Sequence, residues 1–127
     1  MSTLDASVVI AHLKPTDPHR EAATRFLAET AGSTHWMNPV NLAEVLVDYA
    51  RSGRLAEGTR VVGDLGIRER PLPEDAAVRL ARLRAETGLR MPGCCVLLTA
   101  EQAGTTVATF DERLRSAALH RGLPVVP

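Results

Sequence analysis

A chain of 127 residues that is 45% apolar and 24% charged is long enough for one domain, residues 1–127, with its own core, and too apolar to be disordered. Its formal net charge is zero, so no overall field draws in nucleic acid, and any such role has to come from a local site. Aromatics make up only 3%, which leaves Leu, Val, Ala and Ile to build the core. No apolar run approaches the roughly 18 residues of a membrane helix. No basic stretch precedes an apolar one at the N-terminus, so the expected location is the cytoplasm, with no membrane partner. Cys94 and Cys95 are adjacent, a spacing that suits neither zinc ligation nor a disulfide framework, and they read as small packing residues. His12, His19, His35 and His120 form no ligand pair at helical spacing.

Taken in order, Thr3, Leu4 and Asp5 end a short first strand. Ser7 then caps a helix built on Val8, Val9, Ile10 and Leu13. Pro15 to Pro18 is a loop, and Asp17 or Pro18 starts a helix that carries Ala22, Ala23, Phe26 and Leu27 and stops at Gly32. Thr34 to Met37 is a strand. Asn38-Pro39 ends it, and the helix from about Val40 to Arg51 buries Leu42, Val45, Leu46 and Tyr49. Leu55 to Leu65 forms a further helix that Gly58 and Gly63 weaken. Ile67 to Leu72 is an edge strand, since Pro71 cannot donate to a central ladder. Ala76 to Thr87 is a helix with Ala77, Leu80, Ala81 and Leu83 facing inward, opened by Glu74 and Asp75. Leu89 to Gly93 is a loop before a helix from Cys94 to Ala103. Thr105 to Thr109 is the clearest strand, a helix runs from Glu112 to His120, and Pro124 to Val126 is a last strand. Strands alternating with helices predict a three-layer α/β/α sandwich on a mostly parallel sheet.

That fold gives the acids their meaning. Asp5 and Asp111 each follow a strand, and in a parallel sheet both project from the carboxyl edge, where the crevice of an open α/β sheet lies. Glu44 stands one turn into the helix that leaves the second strand and can face the same edge. Asn41, Glu44 and Asp48 share a helical face, and the Glu44–Asp48 pair repels unless a cation relieves it. Several carboxylates with no lysine beside them suit a hard ion such as magnesium, which takes oxygen ligands and keeps waters. Such an ion can hold a phosphodiester and activate water. A solvated helix face accounts equally for Glu44 and Asp48. Arg51, Arg54, Arg68, Arg70 and Arg90 are candidate phosphate contacts. A response-regulator receiver is excluded, because Asp5 is followed by Ala6 and the only lysine is Lys14. A haloacid-dehalogenase phosphatase is excluded because Ser7 stands where its second acid belongs.

Leu4-Asp5-Ala6-Ser7-Val8-Val9-Ile10, Asn41-Leu42-Ala43-Glu44-Val45 and Thr109-Phe110-Asp111-Glu112-Arg113-Leu114 resemble, in order and spanning nearly the whole chain, the signature blocks of PIN-domain nucleases. The nearest pattern is that of the VapC-type toxins of toxin–antitoxin pairs. The resemblance implies an endoribonuclease that uses Mg²⁺ or Mn²⁺, is held inactive by a VapB-type antitoxin, and forms homodimers. It makes Asp5, Glu44 and Asp111 the catalytic and metal-site acids and Thr109 a supporting hydroxyl; Asn41 and Asp48, on the helical face of Glu44, are the other supporting candidates. It also calls for an aspartate where Gly93 opens the penultimate helix, and for an acid in some relatives where Arg113 stands, with Glu112 the nearest replacement. The missing acid keeps a second reading open: a PIN-fold protein that binds an antitoxin or RNA without cutting. On the antitoxin's side, an acidic pocket at a sheet edge can receive a partner's arginine, and the first helices an amphipathic segment.

Overall fold

The computed structural model describes all residues, 1–127. Short β-branched and apolar stretches form five strands: β1 (Ser2–Leu4), β2 (His35–Met37), β3 (Ile67–Glu69), β4 (Thr106–Ala108) and β5 (Val125–Val126). All pair in parallel, in the order β3-β2-β1-β4-β5. Seven helices connect them: α1 (Ala6–Leu13), α2 (Arg20–Glu29), α3 (Pro39–Arg51), α4 (Leu55–Asp64), α5 (Ala76–Thr87), α6 (Met91–Ala103) and α7 (Glu112–His120).

The layers follow from connectivity. The chain winds from β1 outward to β3, then returns to set β4 on the other side of β1. Because parallel crossovers are right-handed, the two halves must put their helices on opposite faces. Two cores result. On one face Leu4, Met37, Ile67 and Ala108 meet apolar residues of α1 to α4. On the other, Val107 meets α5, α6 and α7, with Val96, Leu97 and Leu98 fully or almost fully buried. The strand order reverses between β1 and β4, so this sheet has its switch point there, and a crevice opens beyond their carboxyl ends.

Several expectations need correction. Asp5, not Ser7, is the cap residue of α1, and its side chain makes no capping bond, being engaged elsewhere. α2 starts at Arg20, after turns that occupy Pro18 and His19. α6 begins at Met91 rather than Cys94: Arg90 is extended, and Pro92 sits in the first turn, where a missing N–H costs nothing. The inward residues of α5 are Ala76, Leu80 and Leu83, while Ala77 and Ala81 are exposed, since Leu80 and Leu83 place position 76 on their own face. β3 ends at Glu69 and β4 spans only Thr106–Ala108. Gly58, a poor helix former, lets α4 approach α3, since a Cβ there would lie 2.7 Å from Tyr49 Cγ.

Candidate functional site

At the switch point, Asp5 leaves β1 while Thr109 and Asp111 leave β4. Thr109 is fully buried. Its Oγ1 donates to Asp5 Oδ2 at 2.8 Å and accepts from the Asp111 N–H at 2.9 Å. Ser7 Oγ donates to the same Asp5 oxygen at 2.6 Å and accepts from the Phe110 N–H at 3.2 Å. One carboxylate oxygen of Asp5 is thus fixed by two hydroxyls. Asp111 caps α7: its Oδ1 accepts from the N–H groups of Arg113 and Leu114 at 2.9 and 3.1 Å.

Asn38 caps α3, and Pro39 at its first position suits the helix start. This cap places Asn41 inside the molecule, fully buried. Asn41 Oδ1 accepts from the Ala6 N–H at 3.1 Å, and its Nδ2 donates to the Pro92 carbonyl at 2.9 Å. One amide thereby joins the Asp5–Ala6 junction, α3 and the first turn of α6. One turn further, Glu44 is exposed to solvent.

Asp5, Glu44, Asp111 and Gly93 line a single cleft of about 550 Å³, with Ser7, Arg90 and Arg113 also on its walls. A larger hollow of about 850 Å³ between α5 and α7 meets this cleft at Leu89 and Arg113 and contains none of the three acids. Asp48 lies outside the cleft. It pairs with Arg51 at 3.3 Å, and its side chain is 88% exposed. Of the five arginines read as phosphate contacts, only Arg90 lines the cleft. Arg51 pairs with Asp48 and Arg54 with Glu57, Arg70 lies over the Trp36 ring, and Arg68 lines a separate hollow. Ser7 is the residue whose part sequence reasoning missed; its position two after Asp5 was the available signal.

Burial pushes the Asp5 carboxyl above its ordinary 3.8; the bonds from Ser7 and Thr109 oppose the rise, and the Asp111 charge adds to it. Glu44 is raised above 4.5, first by partial burial and then by Asp5. Cys94 and Cys95 are buried, and burial raises both thiols, which makes them inert packing groups.

Gly93 is the third residue of α6. A Cβ on it would meet Leu89 at 3.6 Å, ordinary contact, so the wall has room for a side chain.

The donor chemistry suits a hard divalent ion. The acids offer only oxygen, burial and Asp111 disfavour the Asp5 charge, and none of the chain's ion pairs involves Asp5, Glu44 or Asp111. No three His, Cys, Asp or Glu side chains are arranged to enclose an ion. The residues therefore fit an open, water-rich site anchored on Asp5, and not a closed cage.

With this geometry in place, the chain can be compared with known proteins. The family model described as PIN domain matches residues 3–119. No curated protein matches. The fold is shared with a toxin–antitoxin complex from Klebsiella pneumoniae, at a TM-score of 0.77 and 21% identity over 100% of this chain and 97% of that one. FitAcB from Neisseria gonorrhoeae is similar at a TM-score of 0.75 and 20% identity, covering 100% and 97%. VapC20 from Mycobacterium tuberculosis, a Sarcin-Ricin loop cleaving toxin, is similar at a TM-score of 0.74 and 14% identity, covering 92% and 95%. No helix is long and apolar enough to cross a membrane.

Proposed function

The chain belongs to the PIN domain family, and from that premise we propose that it is the toxin of a type II toxin–antitoxin pair, a metal-dependent endoribonuclease working as one domain. The observation that carries this reading is that Asp5, Glu44 and Asp111, from three separate stretches of sequence, line one cleft. A toxin–antitoxin complex and a Sarcin-Ricin loop cleaving toxin among the structures of the same fold support it.

In this reading Asp5, Glu44 and Asp111 would supply the oxygen donors for Mg²⁺ or Mn²⁺, with Asp5 as the anchor and water completing the shell. When bound, such an ion polarises the phosphate and lowers the pKa of an attacking water. Ser7 and Thr109 keep Asp5 in one orientation, so that its charge is placed before substrate arrives. The Glu44 carboxylate has no ion-pair partner within the chain and lines the cleft, which leaves it available to an ion or to the attacking water. Arg90 and Arg113, on the cleft walls, offer donors to phosphate oxygens. Asp48, on the neighbouring hollow with Glu44, has no part in the chemistry and at most shapes the approach.

The partner is a VapB-type antitoxin whose arginine enters the acidic cleft, and the chain pairs with a second copy. Val40, Val47 and Val78 are apolar and exposed, which supports such contacts. One specific observation favours the second reading, a binding protein without catalysis: Gly93 gives the α6 wall no acid. Incubating single-stranded RNA with the chain and with Gly93→Asp, with and without Mn²⁺, separates the two. Divalent-dependent cleavage that Gly93→Asp increases and Asp5→Asn abolishes supports the nuclease. RNA bound but uncut by both proteins supports the binding protein.

A further inference from the structure

Phe26, Trp36, Tyr49 and Phe110 are all the Phe, Tyr and Trp the chain has, and three of them are already occupied. Phe26 is buried in the first core. Arg70 lies over the Trp36 ring and Arg54 over the Tyr49 ring, each 5.3 Å from the centroid. Phe110 differs. It stands between Thr109 and Asp111, and the imidazole of His19 lies flat on its ring, with centroids 4.6 Å apart and planes 8° from parallel.

Both rings are fixed from behind. The Phe110 N–H donates to Ser7 Oγ, which donates to Asp5. The ring of Phe110 itself packs on the first core. The His19 N–H donates to Asp17 Oδ1 at 2.8 Å, and its carbonyl accepts from Ala23 in the first turn of α2 at 2.9 Å. His19 is exposed, and neither of its ring nitrogens bonds to the chain. The result is a flat ring backed by Phe110 on one side and open to solvent on the other, stacked on a residue whose N–H is bonded to Ser7 of the cleft wall. Consecutive Cα atoms are about 3.8 Å apart, so the Phe110 backbone lies within a nucleotide's length of both Thr109 and Asp111.

We propose that the outer face of His19 is a stacking platform for one unpaired base of single-stranded RNA, the base adjoining the phosphate held in the Asp5–Glu44–Asp111 cleft. The proposal rests on the nuclease reading and adds a subsite to it. Single strands are gripped by stacking on flat side chains, which every base can use. A chain without net charge has little long-range attraction for phosphate, so binding strength comes from local contacts: the cleft arginines on phosphate and a stacked base. Phe110 acts as the layer beneath, holding the imidazole in the receiving orientation before the base arrives.

The test uses a short single-stranded RNA carrying 2-aminopurine, mixed with the intact chain without divalent ions so that nothing is cut. Stacking should quench the fluorophore on binding. His19→Ala should weaken binding by about tenfold and remove most of the quench. His19→Phe should retain both, and His19→Lys should restore neither. In Gly93→Asp with Mn²⁺, adding His19→Ala should raise KM and leave kcat little changed. Unchanged affinity and quench in His19→Ala, with RNA still bound, would overturn the platform and leave the nuclease reading standing. Full rescue by His19→Lys would also overturn it, by assigning the contact to charge. Failure of both the chain and Gly93→Asp to bind any RNA would overturn both.

Discussion

The two walls of the acidic cleft are built to different standards. On the β1–β4 side the acids are held by a chain of hydrogen bonds: Ser7 and Thr109 hold Asp5, the Asp111 N–H rests on Thr109, and Asp111 caps α7. On the α6 side the first turn offers Pro92 and Gly93, with a backbone carbonyl tied to Asn41 and no acidic side chain on the cleft wall. The first wall is over-determined because its hydrogen bonds also join the ends of β1 and β4 and cap α7. The second is free to vary, because a residue at position 93 meets only Leu89. Fold and chemistry are therefore coupled on one wall and separable on the other.

Asn41 spans both walls, and its loss should be felt most. Asn41→Ala leaves the buried Ala6 N–H unsatisfied, at about 1–3 kcal/mol, and removes a second bond, to the Pro92 carbonyl, worth about 1 kcal/mol. Urea unfolding should show a loss of roughly 3 kcal/mol in total; a loss below about 0.5 kcal/mol, ordinary for a surface change, would mean the walls are not tied through this amide. Thr109→Val acts on one wall only. It removes one bond to Asp5 and leaves the Asp111 N–H unpaired, so the expected loss is about 1–2 kcal/mol, with the Asp5 carboxyl titrating higher still by NMR.

Asp5→Asn should go the other way. The Asp5 pKa is raised above 3.8 in the folded protein, so between 3.8 and the raised value the folded state binds more protons than the unfolded one. Stability then falls as pH rises through that window and is recovered as pH falls. Glu44, raised from 4.5, adds to the slope in the same direction. Asn keeps an acceptor for Ser7 and Thr109 without the buried charge. Asp5→Asn should therefore flatten the pH dependence and be at least as stable as the parent at neutral pH, while losing divalent binding. A variant less stable than the parent at pH 7 would show that the bonds from Ser7 and Thr109 outweigh the burial of the charge.

The contrast also explains how much could be read from residues alone. The parallel α/β sandwich was legible because each apolar run has a clean helical or strand period. The convergence of Asp5 and Asp111 was legible because both follow strands that a parallel sheet aligns. The Asn41–Pro92 bond was not, since it depends on α6 starting at Met91, a boundary that Pro92 and Gly93 disguise as loop. Ser7 was read as a cap because local chemistry favours that, while its hydroxyl is recruited by a carboxylate and by Phe110 across the sheet. Gly58 looked like a defect until the ring of Tyr49 was found against it. Asp48 shares a face with Glu44 in projection, yet one more helical turn carries it out of the cleft.

Gly93→Asp should have the smallest effect on stability. An acid in the first turn of α6 gains a few tenths of a kcal/mol from the helix dipole, and replacing Gly removes a helix penalty. Its effect on ion binding should be large, because it adds a carboxylate ligand and a negative charge to a wall that has neither. The most direct measurement is calorimetric titration of Mn²⁺ into the chain, Gly93→Asp and Gly93→Asp with Asp5→Asn. The account predicts weak binding by the chain, at least about tenfold tighter binding by Gly93→Asp, equivalent to about 1.4 kcal/mol, and loss of that gain in the double variant. Equal affinities for the chain and Gly93→Asp would contradict it.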